Sequence, residues 1–301
     1  INLRLELIIR IMLLATLIIS FDLMFQYVFK INVIGMPITS DHLGRASSFF
    51  GDELIAGTYI LKFSLPVIGY YLFKKKFFIT YLLILTYLVA IIFSGERMTF
   101  LLYGLGIFIL FFLIRDLKRI FVLSTSVLLI CMTSFFVFNG VESRVNNFVV
   151  SMGLKNENIR DFGHAAHYLT AIEIFKENKI TGTGHKTFRL ECQNEKIIKK
   201  IDSASAGCTT HPHNNIFEML SDSGLMGLFG YILFASFILL KSIKNNIFQS
   251  EKSGFLISAI IIFWPISSAG NFFNNRIAIT NFLIFGILLL FSKKNLFLKN
   301  N

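Results

Sequence analysis

The sequence predicts an all-α polytopic membrane protein with about eight transmembrane helices and one large loop on the outer side. Three observations predict it. Of 301 residues, 54% are hydrophobic and only 16% charged, whereas soluble proteins carry about 25% charged residues. Apolar runs approach the roughly 20 residues that a spanning helix needs. Short connections alternate between rich and poor in Lys and Arg, as they do when basic loops stay cytoplasmic. The same composition, with 35 Phe, excludes a disordered chain.

The spans follow in order. Leu7 to Val28 is the first, with Arg10 near its start, where it can snorkel, and Asp22, which needs the interface or a partner. Leu54 to Phe73 ends on Lys74, Lys75 and Lys76. Phe77 to Ser94 and Met98 to Ile114 come next, followed by Arg115, Lys118 and Arg119. Ile120 to Phe138 is the fifth. Beyond the large loop stand Leu225 to Leu240, Phe255 to Ser268 and Ile277 to Phe291, with Lys241, Lys244, Lys252, Lys293, Lys294 and Lys299 on the basic side. The other connections hold only Lys30 and Arg45, Arg97, or Arg276. Both ends therefore read as cytoplasmic. The chain divides into residues 1–138 (five spans), 139–214 (the loop) and 215–301 (three spans and a tail). It opens on Ile beside an apolar run, so an N-terminal part of the protein is expected to be missing.

The net charge of +11 is thus a topology signal and not a nucleic-acid signature. Loop 139–214 carries ten Lys and Arg, but connections beyond about 60 residues escape the charge rule. A connection that long is usually functional. Its stretch from Ala165 to Asn178 has helical apolar spacing at Tyr168, Leu169, Ile172 and Phe175, and Gly182-Thr-Gly184 ends it. Cys192 and Cys208 both fall in this loop, in what would be an oxidising compartment, and the spacing leaves their pairing open. Cys131 reads as a packing residue inside a span. No Cys/His or paired-Asp spacing suggests a metal, and no cofactor motif is present.

Four polar groups fall on the outer side. His211-Pro-His213-Asn214 leads into a helix-like segment ending in Gly224 and Gly227. A histidine can act as a general base near neutral pH, and Asn214 could orient the imidazole or a substrate hydroxyl. Equally, His213 and Asn214 could only cap a helix, with the glycines allowing close packing. Arg97 opens the fourth span, where its planar fork suits a phosphate at headgroup depth, or else anchors the span beside Glu96. Arg144 and Arg160 belong to the loop, with Arg189 behind them. Arg45 and Arg276 sit at outer span ends. Together these cations suit a large membrane-anchored polyanion.

The string His213-Asn214, nine residues, then Gly224-Leu-Met-Gly227 resembles the His-Asn-x9-Gly-x-x-Gly motif of the O-antigen ligase superfamily. Arg97 followed by Leu101 is similar to that family's second motif. Arg45-Ala-Ser-Ser-Phe-Phe-Gly and ITGTGHKTF resemble two further segments, although Ile180-Thr181 stands where the family has Pro-Leu. Arg160 lies about where the family has a loop arginine, without the Trp that commonly follows, which leaves Arg160 and Arg144 as alternatives. The resemblance implies a metal-independent glycosyltransferase of the bacterial inner membrane. Its donor would be a glycan on undecaprenyl diphosphate, and its acceptor lipid A–core oligosaccharide or another glycan. His213, Arg97 and Arg160 would be catalytic; Arg45, Arg144, His211, Asn214 and Arg276 would bind substrate. A sister polymerase shares these motifs, and a transporter of lipid-linked sugars is the remaining alternative.

Overall fold

The computed structural model describes residues 2–38, 45–114, 164–201, 207–245, 247–267 and 270–292. The predicted fifth span, Cys131, Arg144 and Arg160 lie outside the described residues. Among those described there is no strand, only an isolated bridge between Ile31 and Pro37. The helices are α1 (Asn2–Phe29), α2 (Ala56–Phe73), α3 (Phe77–Ser94), α4 (Arg97–Leu113), α5 (Ala165–Glu177), α6 (Phe188–Glu191), α7 (Glu195–Ile201), α8 (Asn215–Lys244), α9 (Ser253–Ile262) and α10 (Asn275–Phe291). Three are long and apolar enough to cross a bilayer: Arg4–Phe29, Phe77–Ser94 and Asn215–Lys244. Arg97–Leu113, Ser253–Ile262 and Asn275–Phe291 are shorter apolar helices.

One element differs from the sequence reading. The predicted seventh span, Phe255 to Ser268, ends as helix α9 at Ile262. Trp264 precedes Pro265, and a residue before proline is pushed out of the helical region. The predicted sixth span begins directly after the break in α8 at Gly224.

The chain forms two compact units. The first gathers residues 1–123, 238–264 and 279–301. Its first helix shows why a chain this apolar needs lipid. Leu7, Ile11, Leu14, Ile18 and Phe21 recur at helical spacing and are all exposed, whereas Thr16, Ser20, Asp22 and Gln26 are buried. An exposed face made of large apolar residues is the reverse of a water-soluble helix. Each buried polar group then needs a partner, because an unsatisfied one costs about 1–3 kcal/mol. Thr16 meets the Tyr87 hydroxyl at 2.8 Å. Asp22 accepts from the Val33 N–H at 2.9 Å and the Ser48 hydroxyl at 2.6 Å. Gln26 accepts from the Ser47 and Ser48 N–H groups. Asp22 and Gln26 thereby pin the first connection to α1. Arg10, exposed as expected, pairs with Glu6 one turn away.

Helices α2 and α9 meet at glycines. A Cβ on Gly69 would lie 2.8 Å from the Gly254 Cα, and one on Gly254 would lie 2.2 Å from the Leu65 carbonyl. Small residues let helix backbones approach where no hydrophobic effect drives them together. The second unit gathers residues 124–237 and 265–278. Its loop helices share a core of Ala171, Ile174, Phe188, Cys192 and Ile197, with Cys208 and Phe217 packed against it.

Candidate active site

His213 lies in the second unit and is held by its neighbour. Asn214 caps α8, its Oδ1 accepting from the Ile216 N–H at 2.9 Å and the Phe217 N–H at 3.4 Å. Such a cap satisfies donors that the first helical turn leaves open. The Asn214 amide nitrogen donates to the Pro265 carbonyl at 2.8 Å and the Ser267 carbonyl at 3.3 Å. One turn on, the buried Glu218 accepts from the Phe272 N–H at 3.0 Å. Cap and clamp therefore fix the chain that follows directly on His213. Asn214 spends these four bonds on main chain, so it serves the imidazole by fixing its backbone.

His213 itself adopts φ +58°, a left-handed conformation that costs of order 1–3 kcal/mol for a residue with a side chain. Its ring is half-buried among three others, with centroids 4.2 Å from His211, 4.8 Å from His164 and 5.3 Å from His167. Burial, reinforced by His211, His164 and His167, pushes its pKa down to about 3. At neutral pH the ring is therefore neutral and keeps one lone pair for a proton. His211 contacts the Thr210 hydroxyl through Nδ1 at 2.9 Å. His164 and His167 escaped the sequence reading, which saw in this stretch only helical spacing. Their separation of three at the start of α5 was the available signal.

The two glycine segments form a single junction. Gly224 has φ +61° and ψ −156°, a region essentially reserved for glycine. A Cβ there would fall 2.5 Å from the Ile180 carbonyl oxygen, and one on Gly182 would fall 2.4 Å from the Asp222 backbone. The strands of this junction exchange main-chain bonds: Thr183 N–H to Ser221 O at 3.1 Å, Gly184 N–H to Asp222 O at 2.8 Å, and Leu225 N–H to Lys179 O at 2.8 Å. The Asp222 carboxylate also accepts from the Lys186 N–H at 2.7 Å. Gly224→Ala is expected to destabilise the second unit by about 1–3 kcal/mol from backbone strain alone. Faster limited proteolysis of the loop in the purified variant would register it; wild-type resistance would contradict it.

In the same unit Cys192 and Cys208 form a disulfide, with Cα atoms 5.1 Å apart and 16 positions between them in sequence. The spacing left this open; folding decides it by bringing α6 against the segment at Cys208. Closing a loop of this size stabilises by about 3 kcal/mol in the chain-entropy view. Cys208→Ser should lower the thermal midpoint of detergent-solubilised protein, and a reductant should do the same to wild type only.

The first unit holds Arg45 and Arg97. Arg45 donates from Nε to the Ser94 carbonyl at 3.1 Å, where α3 ends. It lies beneath Gly95, whose φ is +68° and whose added Cβ would meet the Arg45 Cγ at 2.8 Å. Glu96 then accepts from the Gly57 N–H at 2.6 Å, the Thr58 N–H at 3.0 Å, the Thr58 hydroxyl at 2.6 Å and the Thr99 hydroxyl at 2.9 Å. A carboxylate at the start of α2 complements the positive end of that helix. Arg97, the first residue of α4, is exposed. Folding thus brings Arg45 to the Ser94–Arg97 turn, which no spacing in the sequence announces.

Residues 82–232 match the model of the O-antigen ligase family. That is half of the chain and includes Arg97, His213, Gly224 and Gly227. The chain belongs to the O-antigen ligase family. No curated protein is similar to it. Membership makes the chain a membrane enzyme of the ligase and polymerase kind, a glycosyltransferase acting on lipid-linked glycans. Arg45 and Arg276 fall outside the matched residues. Arg276 is exposed near the start of α10, its N–H donating to Asn274 Oδ1 at 3.3 Å.

Proposed function

We propose that this member is a ligase, moving a glycan from undecaprenyl diphosphate to lipid A–core oligosaccharide at the periplasmic face of the inner membrane. In this reading eight spans of the chain cross the membrane, both ends are cytoplasmic, and residues 139–214 are periplasmic. His213 takes the proton from the acceptor hydroxyl as that oxygen attacks the anomeric carbon. The bond from that carbon to the diphosphate breaks, the anomeric centre inverts, and the diphosphate leaves on its lipid. Arg97, with Arg160 or Arg144, stabilises the negative charge of the leaving group; Arg45 and Arg276 hold the donor at headgroup depth. Arginines supply this charge, so the reaction needs no metal cofactor.

The observation that carries the reading is the placement of the His213 ring by Asn214 and Glu218 within the family's own motif. A base with a resting pKa near 3 is weak, and general-base catalysis works best near the operating pH. The donor corrects this. A diphosphate beside the ring favours the protonated imidazole and raises the pKa when substrate is bound.

The test is a purified-protein assay with a lipid diphosphate-linked glycan and lipid A–core. Glycan joined to the core supports a ligase. Glycan lengthened on its lipid carrier assigns the sister polymerase reaction instead, and no transfer to either acceptor overturns both.

A further inference from the structure

We propose that His164, His167 and His213 form a binding site for a divalent transition-metal ion of the zinc class, and that filling it switches glycan transfer off. The switching half rests on the proposed role of His213; the binding half does not. His164 precedes α5, His167 lies in its first turn, and His213 precedes α8, all within the second unit. One ring nitrogen from each lies within 4.8 Å of the others. Tetrahedral zinc with nitrogen ligands at about 2.0–2.1 Å sets them roughly 3.3 Å apart. His164 is exposed, so rotation of its side chain closes most of the gap.

His167 supplies an independent sign of a ligand. It is 8% exposed, and its buried Nδ1 has no hydrogen-bond partner. A hydrogen bond to the Gly207 backbone holds the ring and, with Nδ1 unpartnered, falls to Nε2. Metal-bound histidines are ordinarily held this way, one nitrogen on the ion and the other N–H on a carbonyl. Three imidazole nitrogens suit zinc, copper or nickel far better than calcium or magnesium, which take oxygen ligands. An ion on His213 occupies the lone pair that would accept the acceptor's proton.

The experiment uses tag-free, full-chain protein stripped with a chelator and titrated with zinc chloride, with cobalt(II) as a spectroscopic probe. About one zinc ion should bind per chain, and cobalt should give the intense visible bands of a four-coordinate site. His167→Ala and His164→Ala should each weaken binding at least about 10-fold, since even outer contacts of a metal site are worth that much. The exposed His164 variant guards against a folding defect at buried His167. Zinc should inhibit wild-type transfer, and His164→Ala should need at least about 10-fold more zinc for half-inhibition of the transfer it retains. Absence of stoichiometric binding overturns the site. Binding that leaves transfer unchanged or raises it overturns the switch. Binding by a protein with no transfer in metal-free buffer keeps the site and refutes the catalytic reading instead.

Discussion

His213→Ala should accumulate in the membrane at the wild-type level and transfer glycan at least about 10²-fold more slowly, the range lost with a general base. The side chain is half-buried, but the turn that carries it is held by Asn214 and Glu218 through main-chain bonds that alanine leaves intact. Stability should change little. The smaller side chain gives up ring contacts with His211, His164 and His167 and keeps φ +58°, a conformation about as strained for alanine as for histidine. Activity should therefore fall far more than the unfolding midpoint. Substituting glycine separates the two effects further, because it relieves the backbone strain and still lacks the base. Transfer by either variant at the wild-type rate would refute the mechanism. Loss of the protein from the membrane would instead assign His213 a folding role.

Arg97→Ala should lower the turnover number by about 10²–10³-fold, the usual cost of removing one preorganised stabiliser of developing charge. Its guanidinium stands at the first turn of α4, where helix N–H groups already favour an anion. Glu96 does not consume that field: its carboxylate is engaged by Gly57, Thr58 and Thr99. Arg97→Lys should recover part of the loss, since lysine restores charge without the bidentate fork. A rise in KM at constant turnover would mean that Arg97 only anchors the donor. Unchanged kinetics in Arg97→Ala would leave Glu96 and Arg45 as the structural purpose of this turn.

The helical class was legible in composition, and most boundaries in apolar run length. Phe77–Ser94 coincides with α3, and α2, α4 and α10 begin or end within two residues of the predicted spans. Where the reading failed, a single backbone residue intervened. Pro265 cuts the seventh span short, and apolar periodicity is blind to it. The motif histidine could be picked out because family motifs are local strings. His164 and His167 offered only their separation of three, and their approach to His213 comes from folding.

By itself the sequence determined an apolar helical protein with an O-antigen ligase motif, because hydropathy and short motifs are properties of neighbouring residues. Only the tertiary structure decided that Cys192 pairs with Cys208, that Gly182 and Gly224 share one junction, and that Arg45 reaches the turn before Arg97. It alone turned the basic residues and histidines into a geometry, since contacts across dozens of residues depend on loop closure and packing rather than on local pattern.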